Sequence, residues 1–153
     1  MGVIGAGAVG RAVAAAVVAE GLCNELVLVS RSMDEAAALA DDLDDLRVAA
    51  GSTVIPAAAS TAHELDGCDA IVIAARAPFV SSRGQDMRMG GLDANVPLIR
   101  DIAVTLRRYS GQIVMVTNPV DLMARLFAEI SGCERVVGIG SNLDSARYRL
   151  IVA

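Results

Sequence analysis

A glycine-rich segment near the start of the chain limits the fold more than any other feature of the sequence. Residues 5–10 read GAGAVG, directly after the apolar run Gly2–Ile4 and directly before an alanine-rich stretch. Gly5 permits a tight turn, Gly7 lets a bound group approach the backbone, and Gly10 lets a helix pack closely against a strand. The segment therefore predicts a strand, a tight turn and a helix, in that order.

The rest of the chain repeats this alternation of short apolar runs and helical patterns. Strands are predicted at residues 2–4, 26–29, 53–55, 70–74, 113–117 and 136–139. Helices are predicted at residues 8–20, 32 to about 43, 92–109 and 122–130, the second opening with a capping box of Ser32 and Glu35. Residues 77–91 are predicted to be irregular. Apolar strands separated by helices are typical of a parallel sheet buried on both faces. We therefore expect an α/β fold with a doubly wound parallel six-stranded sheet, the Rossmann fold, as a single domain over residues 1–153.

The composition excludes several classes of function. The chain is 54% hydrophobic but only 3% aromatic, so its core must be aliphatic, and its net charge of -5 offers no attraction for nucleic acid or an anionic membrane. Cys23, Cys68 and Cys133 are widely separated and form neither a disulfide framework nor a metal-binding cluster. The first residues lack the long apolar run of a signal or membrane segment. We expect a soluble, unprocessed cytoplasmic protein with reduced thiols and no metal.

The glycine turn also predicts a dinucleotide site. In a strand-turn-helix unit of this kind, the pyrophosphate lies at the helix N-terminus, where backbone N–H groups and the helix dipole favour an anion. We therefore expect cofactor contacts from Gly5, Gly7, Ala8, Val9 and Gly10.

The end of the second predicted strand bears on the choice of cofactor. An NAD site usually carries Asp or Glu there, which accepts hydrogen bonds from the ribose 2′-hydroxyl. This chain carries Ser30, Arg31 and Ser32 instead. Two hydroxyls and a guanidinium can bind a 2′-phosphate, so we expect NADP to be preferred, with NAD possible. The alternative is that Arg31 is a solvated surface residue and Ser32 only a helix cap.

Several longer motifs carry a family resemblance. They are GAGAVG, CDAIVIAARAP, the spacing from Arg88 to Asn95 followed by VPLIRDIA, VTNPVDLM, and VVGIGSNLDSARYR. With these motifs the chain resembles the nucleotide-binding half of the lactate/malate dehydrogenase family. The resemblance covers essentially all of this chain but only about half of a typical family member. It implies the NAD(P)-binding half of an oxidoreductase that acts on a 2-hydroxy acid such as lactate or malate, within a homo-oligomer.

The resemblance also implies roles for individual residues. Arg88, on a mobile loop, would close over the substrate and polarise its carbonyl, and Asn118 would hydrogen-bond the reacting oxygen. Arg147 would hold the substrate carboxylate, and Asp144 would orient a catalytic histidine. The Asn118–Pro119 bond would be cis. The cofactor would be bordered by Ala75, Arg76, Asn95, Val116 and Thr117.

Departures from the family pattern leave alternatives open. The catalytic histidine belongs to a second domain that is absent here, and we expect the sole histidine, His63, to be a surface residue. The chain alone is therefore expected to bind cofactor without turnover. Arg76 replaces a glycine, and Arg83 either takes the role of a second substrate arginine, as in malate-type enzymes, or is plain loop charge. Lactate, malate and other 2-hydroxy acids all stay open, and a non-catalytic nucleotide-sensing domain is the rival function.

Overall fold

A computed structural model of the chain describes residues 1–78 and 87–152, with the backbone alone at residues 87–90 and 142–144. The strands are β1 (Gly2–Ile4), β2 (Glu25–Val29), β3 (Ile55–Ala59), β4 (Ala70–Ile73), β5 (Gln112–Met115) and β6 (Val136–Gly138). The helices are α1 (Ala8–Ala19), α2 (Met33–Ala50), α3 (Met87–Thr105), α4 (Val120–Ser131) and α5 (Asn142–Val152), and a short 3-10 helix spans Ala62–Leu65.

The six strands in the described part of the chain form one parallel sheet in the order β3-β2-β1-β4-β5-β6. The chain builds one half of the sheet outward from β1 to β3, then crosses back to place β4 on the other side of β1. The predicted doubly wound α/β fold is therefore confirmed. This order reverses direction between β1 and β4, and ligands of such sheets bind where the strand order reverses.

Alternate side chains of the central strands pack into two separate hydrophobic cores, one on each face of the sheet. Ile71 and Ile73 of β4 pack on the side of α3 and α4, whereas Val72 packs with residues of α1 and α2 on the opposite face. All three are at most 4% exposed. Helices on both faces thus explain the near-continuous apolar strands, since each successive side chain needs a cover.

The two edges of the sheet depart from the prediction that every strand is buried on both faces. Ile55 of β3 is 62% exposed, and Val137 of β6 is 47% exposed. β3 also lies later than the predicted residues 53–55, because it runs through Pro56 and the alanines that follow. Proline is tolerated at a sheet edge, where one side of the strand needs no donor, and pairing with β2 overrides the helical preference of alanine.

Three helices are longer than predicted, and α4 differs least, by two residues at its start and one at its end. α2 continues seven residues beyond Leu43 and ends at Gly51, which has a positive φ of 66°. Its acidic segment stays helical, with Asp44 bonded to Arg47 at 2.7 Å, one turn away. α3 begins at Met87, so residues 87–91 are helical rather than irregular, and it ends at Thr105 rather than residue 109. No helix within the described ranges is both long and apolar enough to cross a membrane.

A buried tyrosine fastens the start of β5 to the loop before β4. Tyr109 is 5% exposed, and its hydroxyl donates a 2.6 Å hydrogen bond to the carbonyl oxygen of Cys68. Burial raises the pKa of Tyr109 to about 12. The fold therefore favours the neutral phenol, and this contribution to stability is complete below pH 10 and is lost as the pH rises through about 12.

We expect Tyr109→Phe to lower the free energy of unfolding by about 1–3 kcal/mol at neutral pH, because a buried carbonyl loses its donor. The variant should also lose less stability than the parent between pH 10 and pH 12. The chain has no lysine, so few other groups titrate there. Urea unfolding at several pH values measures both effects, with Tyr148→Phe as the matched control because Tyr148 is 66% exposed. If the free energy of unfolding of Tyr109→Phe falls between pH 10 and pH 12 as steeply as that of the parent, the loss of stability does not come from Tyr109.

Candidate functional site

A cleft runs along the carboxyl ends of the central strands, at the point where the strand order reverses. It consists of two adjoining cavities of about 500 Å³ and 780 Å³. Ala74, Ala75 and Arg76, which follow β4, line both cavities. The first extends over the glycine turn toward the end of β2, and the second extends toward the end of β5 and the start of α4. One elongated ligand could therefore contact both.

The glycine turn separates a packed side from an open side. Gly5 has a φ of +112°, and a Cβ there would lie 2.7 Å from the backbone nitrogen of Ala75. A Cβ on Gly10 would overlap the carbonyl oxygen of Gly5. By contrast, nothing lies within 4 Å of a Cβ built on Gly7, which is the N-cap of α1 and carries no side-chain cap. Open space at an uncapped helix N-terminus fits the pyrophosphate of a dinucleotide.

The far end of the first cavity carries a linked polar group of three side chains. The Ser30 hydroxyl donates to Glu35 Oε2 at 2.7 Å, and the Arg31 guanidinium donates to Glu35 Oε1 at 3.1 Å. The hydrogen bond from Ser30 is the main reason that the pKa of Glu35 is lowered, with Arg31 adding to it. All three residues line the cavity. From the sequence alone, Glu35 was expected only as half of a capping box.

Apolar side chains form the rest of this cavity. Its lining includes Val29 at the end of β2, Ala62 of the 3-10 helix, and Leu98 and Ile102 of α3. An apolar slot beside a polar group suits a flat base joined to a sugar.

Buried polar side chains hold the second cavity in shape. Asn95 is 2% exposed, accepts a hydrogen bond from the Ala77 N–H at 2.9 Å and donates one to the Asn118 carbonyl oxygen at 2.8 Å. Thr117 donates to the carbonyl oxygen of Ala75 at 2.7 Å. These bonds join the segments that follow β4 and β5. Asn95 and Thr117 therefore stabilise the wall of the cavity.

Asn118 lies on the wall of the second cavity, and the Asn118–Pro119 peptide bond is cis, as the family resemblance implied. Gly91 of α3 and Ser141, the residue before α5, line the same cavity. Arg88 lies one turn before Gly91 in α3, so its backbone is helical rather than part of a loop. Asp144 and Arg147 lie on α5. Arg83 lies outside the described residues.

Most of the residues predicted from the sequence meet in this cleft. Those that line it are Gly5, Gly7, Val9, Ser30, Arg31, Ala75, Arg76, Asn95, Val116, Thr117 and Asn118. Arg147, a predicted substrate residue, is exposed on α5 and does not line it. Three predicted cofactor residues do not line it either. Gly10 is buried beneath Gly5, Ala8 lies in the first turn of α1, and the Ser32 hydroxyl accepts from the Glu35 N–H as the N-cap of α2. His63 is on the surface as predicted, 3.1 Å from Asp66.

Sequence reasoning missed Asp121 of the second cavity and two charged residues of the first cavity. Arg11 follows the glycine turn directly, lines the first cavity and donates to the carbonyl oxygen of Ala6 at 3.0 Å. Glu35 is the other. Their signals were present, since an arginine at the start of α1 and an acid in the first turn of α2 both lie near a helix N-terminus at the cleft.

Known proteins match this chain over most or all of its length. Residues 1–140 match the family described as lactate/malate dehydrogenase, NAD binding domain. The chain is 33% identical over 151 residues to the malate dehydrogenase of Sulfurimonas denitrificans, covering 96% of this chain and 46% of that protein. It is 32% identical over 157 residues to the L-lactate dehydrogenase of Thermus aquaticus, covering 100% of this chain and 49% of that protein. The chain thus spans about half the length of the curated relatives it matches.

Solved structures give the same picture. The lactate dehydrogenase of Cryptosporidium parvum, complexed with lactic acid and nicotinamide adenine dinucleotide, superposes with a TM-score of 0.88 at 28% identity, over 99% of this chain and 48% of that one. The malate dehydrogenase of Aeropyrum pernix gives a TM-score of 0.84 at 27% identity, over 99% and 49% of the two chains. These matches give no support to the nucleotide-sensing alternative.

Proposed function

The chain belongs to the lactate/malate dehydrogenase family, and we propose that it is the cofactor-binding half of an oxidoreductase that transfers a hydride between a nicotinamide dinucleotide and a 2-hydroxy acid such as lactate or malate. The observation that carries this proposal is the continuous cleft over the glycine turn. Open space at Gly7 receives the pyrophosphate, while the polar group at Ser30 and the cavity at Asn118 lie toward opposite ends.

The cofactor, when bound, supplies the hydride chemistry, and the protein positions the substrate. In this proposal Asn118 donates a hydrogen bond to the reacting oxygen, and Arg88 polarises the carbonyl. Arg147 binds the substrate carboxylate through two parallel hydrogen bonds, which a planar guanidinium can make. Asp144 orients a histidine, supplied from outside residues 1–153, that takes up or releases the proton. We propose that these residues alone bind cofactor without turnover.

Two observations favour different cofactors. Ser30 and Arg31 offer donors to a 2′-phosphate and favour NADP. The family is described by NAD binding, and the Cryptosporidium parvum relative was solved with NAD. The choice therefore depends on the charge balance at this end of the cleft.

The proposal is tested by titrating NADH into the chain and following nicotinamide fluorescence and heat. We expect saturable binding at one site per chain, without oxidation of NADH when pyruvate or oxaloacetate is added. Adenosine diphosphate ribose should compete, because it carries the pyrophosphate and adenosine without the nicotinamide. Failure of a folded chain to bind either NADH or NADPH would refute the proposal.

Assembly and location are part of the same proposal. Tyr148, Leu150, Ile151 and Val152 of α5 are 62–82% exposed. We propose that these apolar side chains are covered in a homo-oligomer or by a substrate domain, because exposed apolar surface favours association. Cys23, Cys68 and Cys133 are free thiols, which supports a reducing, cytoplasmic location.

A further inference from the structure

The carboxylate of Glu35 occupies the part of the cleft where the second strand ends. Glu35 lies in the first turn of α2, five residues after Ser30, yet it lines the same cavity as the glycine turn. Its two oxygens accept from Ser30 at 2.7 Å and from Arg31 at 3.1 Å. A helix residue therefore brings a negative charge to a strand end that carries none of its own.

The capping arrangement of α2 explains why this carboxylate is available. In a full capping box the acid would turn back to the N–H of the N-cap residue. Here Ser32 still accepts from the backbone N–H of Glu35 at 3.2 Å, but the Glu35 side chain bonds Ser30 and Arg31 instead. The acid is thus turned toward the end of β2, and the cap is only half formed.

The charge balance follows from these bonds. The Arg31 guanidinium and the Ser30 hydroxyl are the donors that would attract a 2′-phosphate, and both are already bonded to Glu35. These bonds lower the pKa of Glu35, which is therefore ionised at neutral pH. Two further arginines, Arg11 and Arg76, line this cavity, and Arg11 lies 3.4 Å from Asp42. A ribose 2′-hydroxyl could donate to Glu35, whereas a 2′-phosphate would be repelled by it.

From this geometry we propose that Glu35 selects NAD over NADP in this chain. The inference rests on the proposed function, because it assumes that the cleft holds a nicotinamide dinucleotide with its adenosine end at β2. This proposal is the opposite of the NADP preference that Ser30 and Arg31 predict from the sequence. Both donors are hydrogen-bonded to Glu35 in the structure.

The test compares the affinities of NAD and NADP, measured by calorimetry, for the chain and three variants. The unmodified chain should bind NAD at least about 10-fold more tightly than NADP. Glu35→Gln removes the charge at nearly constant size and should shift this ratio toward NADP by about 10-fold or more. The matched control is Asp34→Asn, which removes an acid from the same helical turn but away from the cavity lining. Its ratio should stay within about twofold of the parent. In the double variant Ser30→Asp/Glu35→Gln, a carboxylate returns at the strand end, and NAD preference should return with it.

The possible results distinguish the role of Glu35 from the proposed dinucleotide-binding function. If the parent binds both cofactors but prefers NADP, or if Glu35→Gln leaves the ratio unchanged, the role of Glu35 is refuted while the dinucleotide site stands. If a folded parent chain binds neither cofactor, both proposals fail. Thermal unfolding of each variant tests whether a changed ratio of NAD to NADP affinity comes from a changed fold. Misfolding would weaken the binding of both cofactors together.

Discussion

Gly7→Ser is expected to remove most of the cofactor affinity of the chain without weakening its fold. Nothing within 4 Å contacts a Cβ at this position, and Gly7 has an extended backbone with φ -74° and ψ -178°. Serine is a preferred N-cap residue, so it should stabilise α1 slightly or leave the free energy of unfolding unchanged. The added side chain would fill the space that receives the pyrophosphate. We expect affinity for NADH to fall by about 100-fold, equivalent to about 3 kcal/mol.

Gly10→Ala provides the contrast. A Cβ on Gly10 would overlap the Gly5 carbonyl oxygen, so this substitution should lower the free energy of unfolding by about 1–3 kcal/mol or more. Urea unfolding and NADH titration of both variants show whether each glycine serves cofactor binding or packing of the fold. If Gly7→Ser binds NADH as tightly as the parent, the open space at the turn is not the pyrophosphate site, and the proposed orientation of the cofactor fails.

The sequence predicted the fold well where one physical signal dominated. Gly5 and Gly10 fixed the first turn, and apolar runs such as Ala70–Ile73 marked the central strands, because burial on both faces leaves little choice of residue. β3 was misplaced because Pro56 and three alanines carry no strand signal of their own. Only pairing with β2, a contact distant in sequence, makes this segment a strand.

The residues that line the cleft were predicted where single residues act through a turn or a motif, and less well where side chains act together. Gly7 and Asn118 could be assigned one at a time, from a turn and a motif. Glu35 could not, because its position depends on whether its carboxylate returns to its own helix cap or crosses to Ser30 and Arg31. Ser32 can cap α2 in either arrangement, and in the structure the carboxylate bonds Ser30 and Arg31. The prediction of NADP from Ser30 and Arg31 took no account of these two hydrogen bonds.

The largest effects on turnover are expected from α5, in a protein that joins this chain to a substrate domain carrying the histidine. Arg147→Ala should raise the KM of the 2-oxo acid about 100-fold or more, because a bidentate contact to the substrate carboxylate is lost. Asp144→Asn should instead lower kcat by about 100-fold or more, because an amide cannot stabilise the imidazolium form of the histidine. Steady-state kinetics with pyruvate and with oxaloacetate separate the two effects.

Cofactor affinity and a neighbouring arginine give the controls for this last prediction. Both variants should bind NADH as the parent does, since the proposed pyrophosphate position is at the glycine turn and not at α5. Arg149→Ala removes the same charge from the same helix, but residues two apart on a helix do not share a face, so its KM should stay near that of the parent. Arg147→Lys should recover little, since an ammonium cannot make two parallel bonds to a carboxylate. If Arg147→Ala and Arg149→Ala raise KM equally, the effect is one of general charge on α5. The proposed contact of Arg147 with the substrate carboxylate would then lose its support, and so would the proposal of a 2-hydroxy acid substrate.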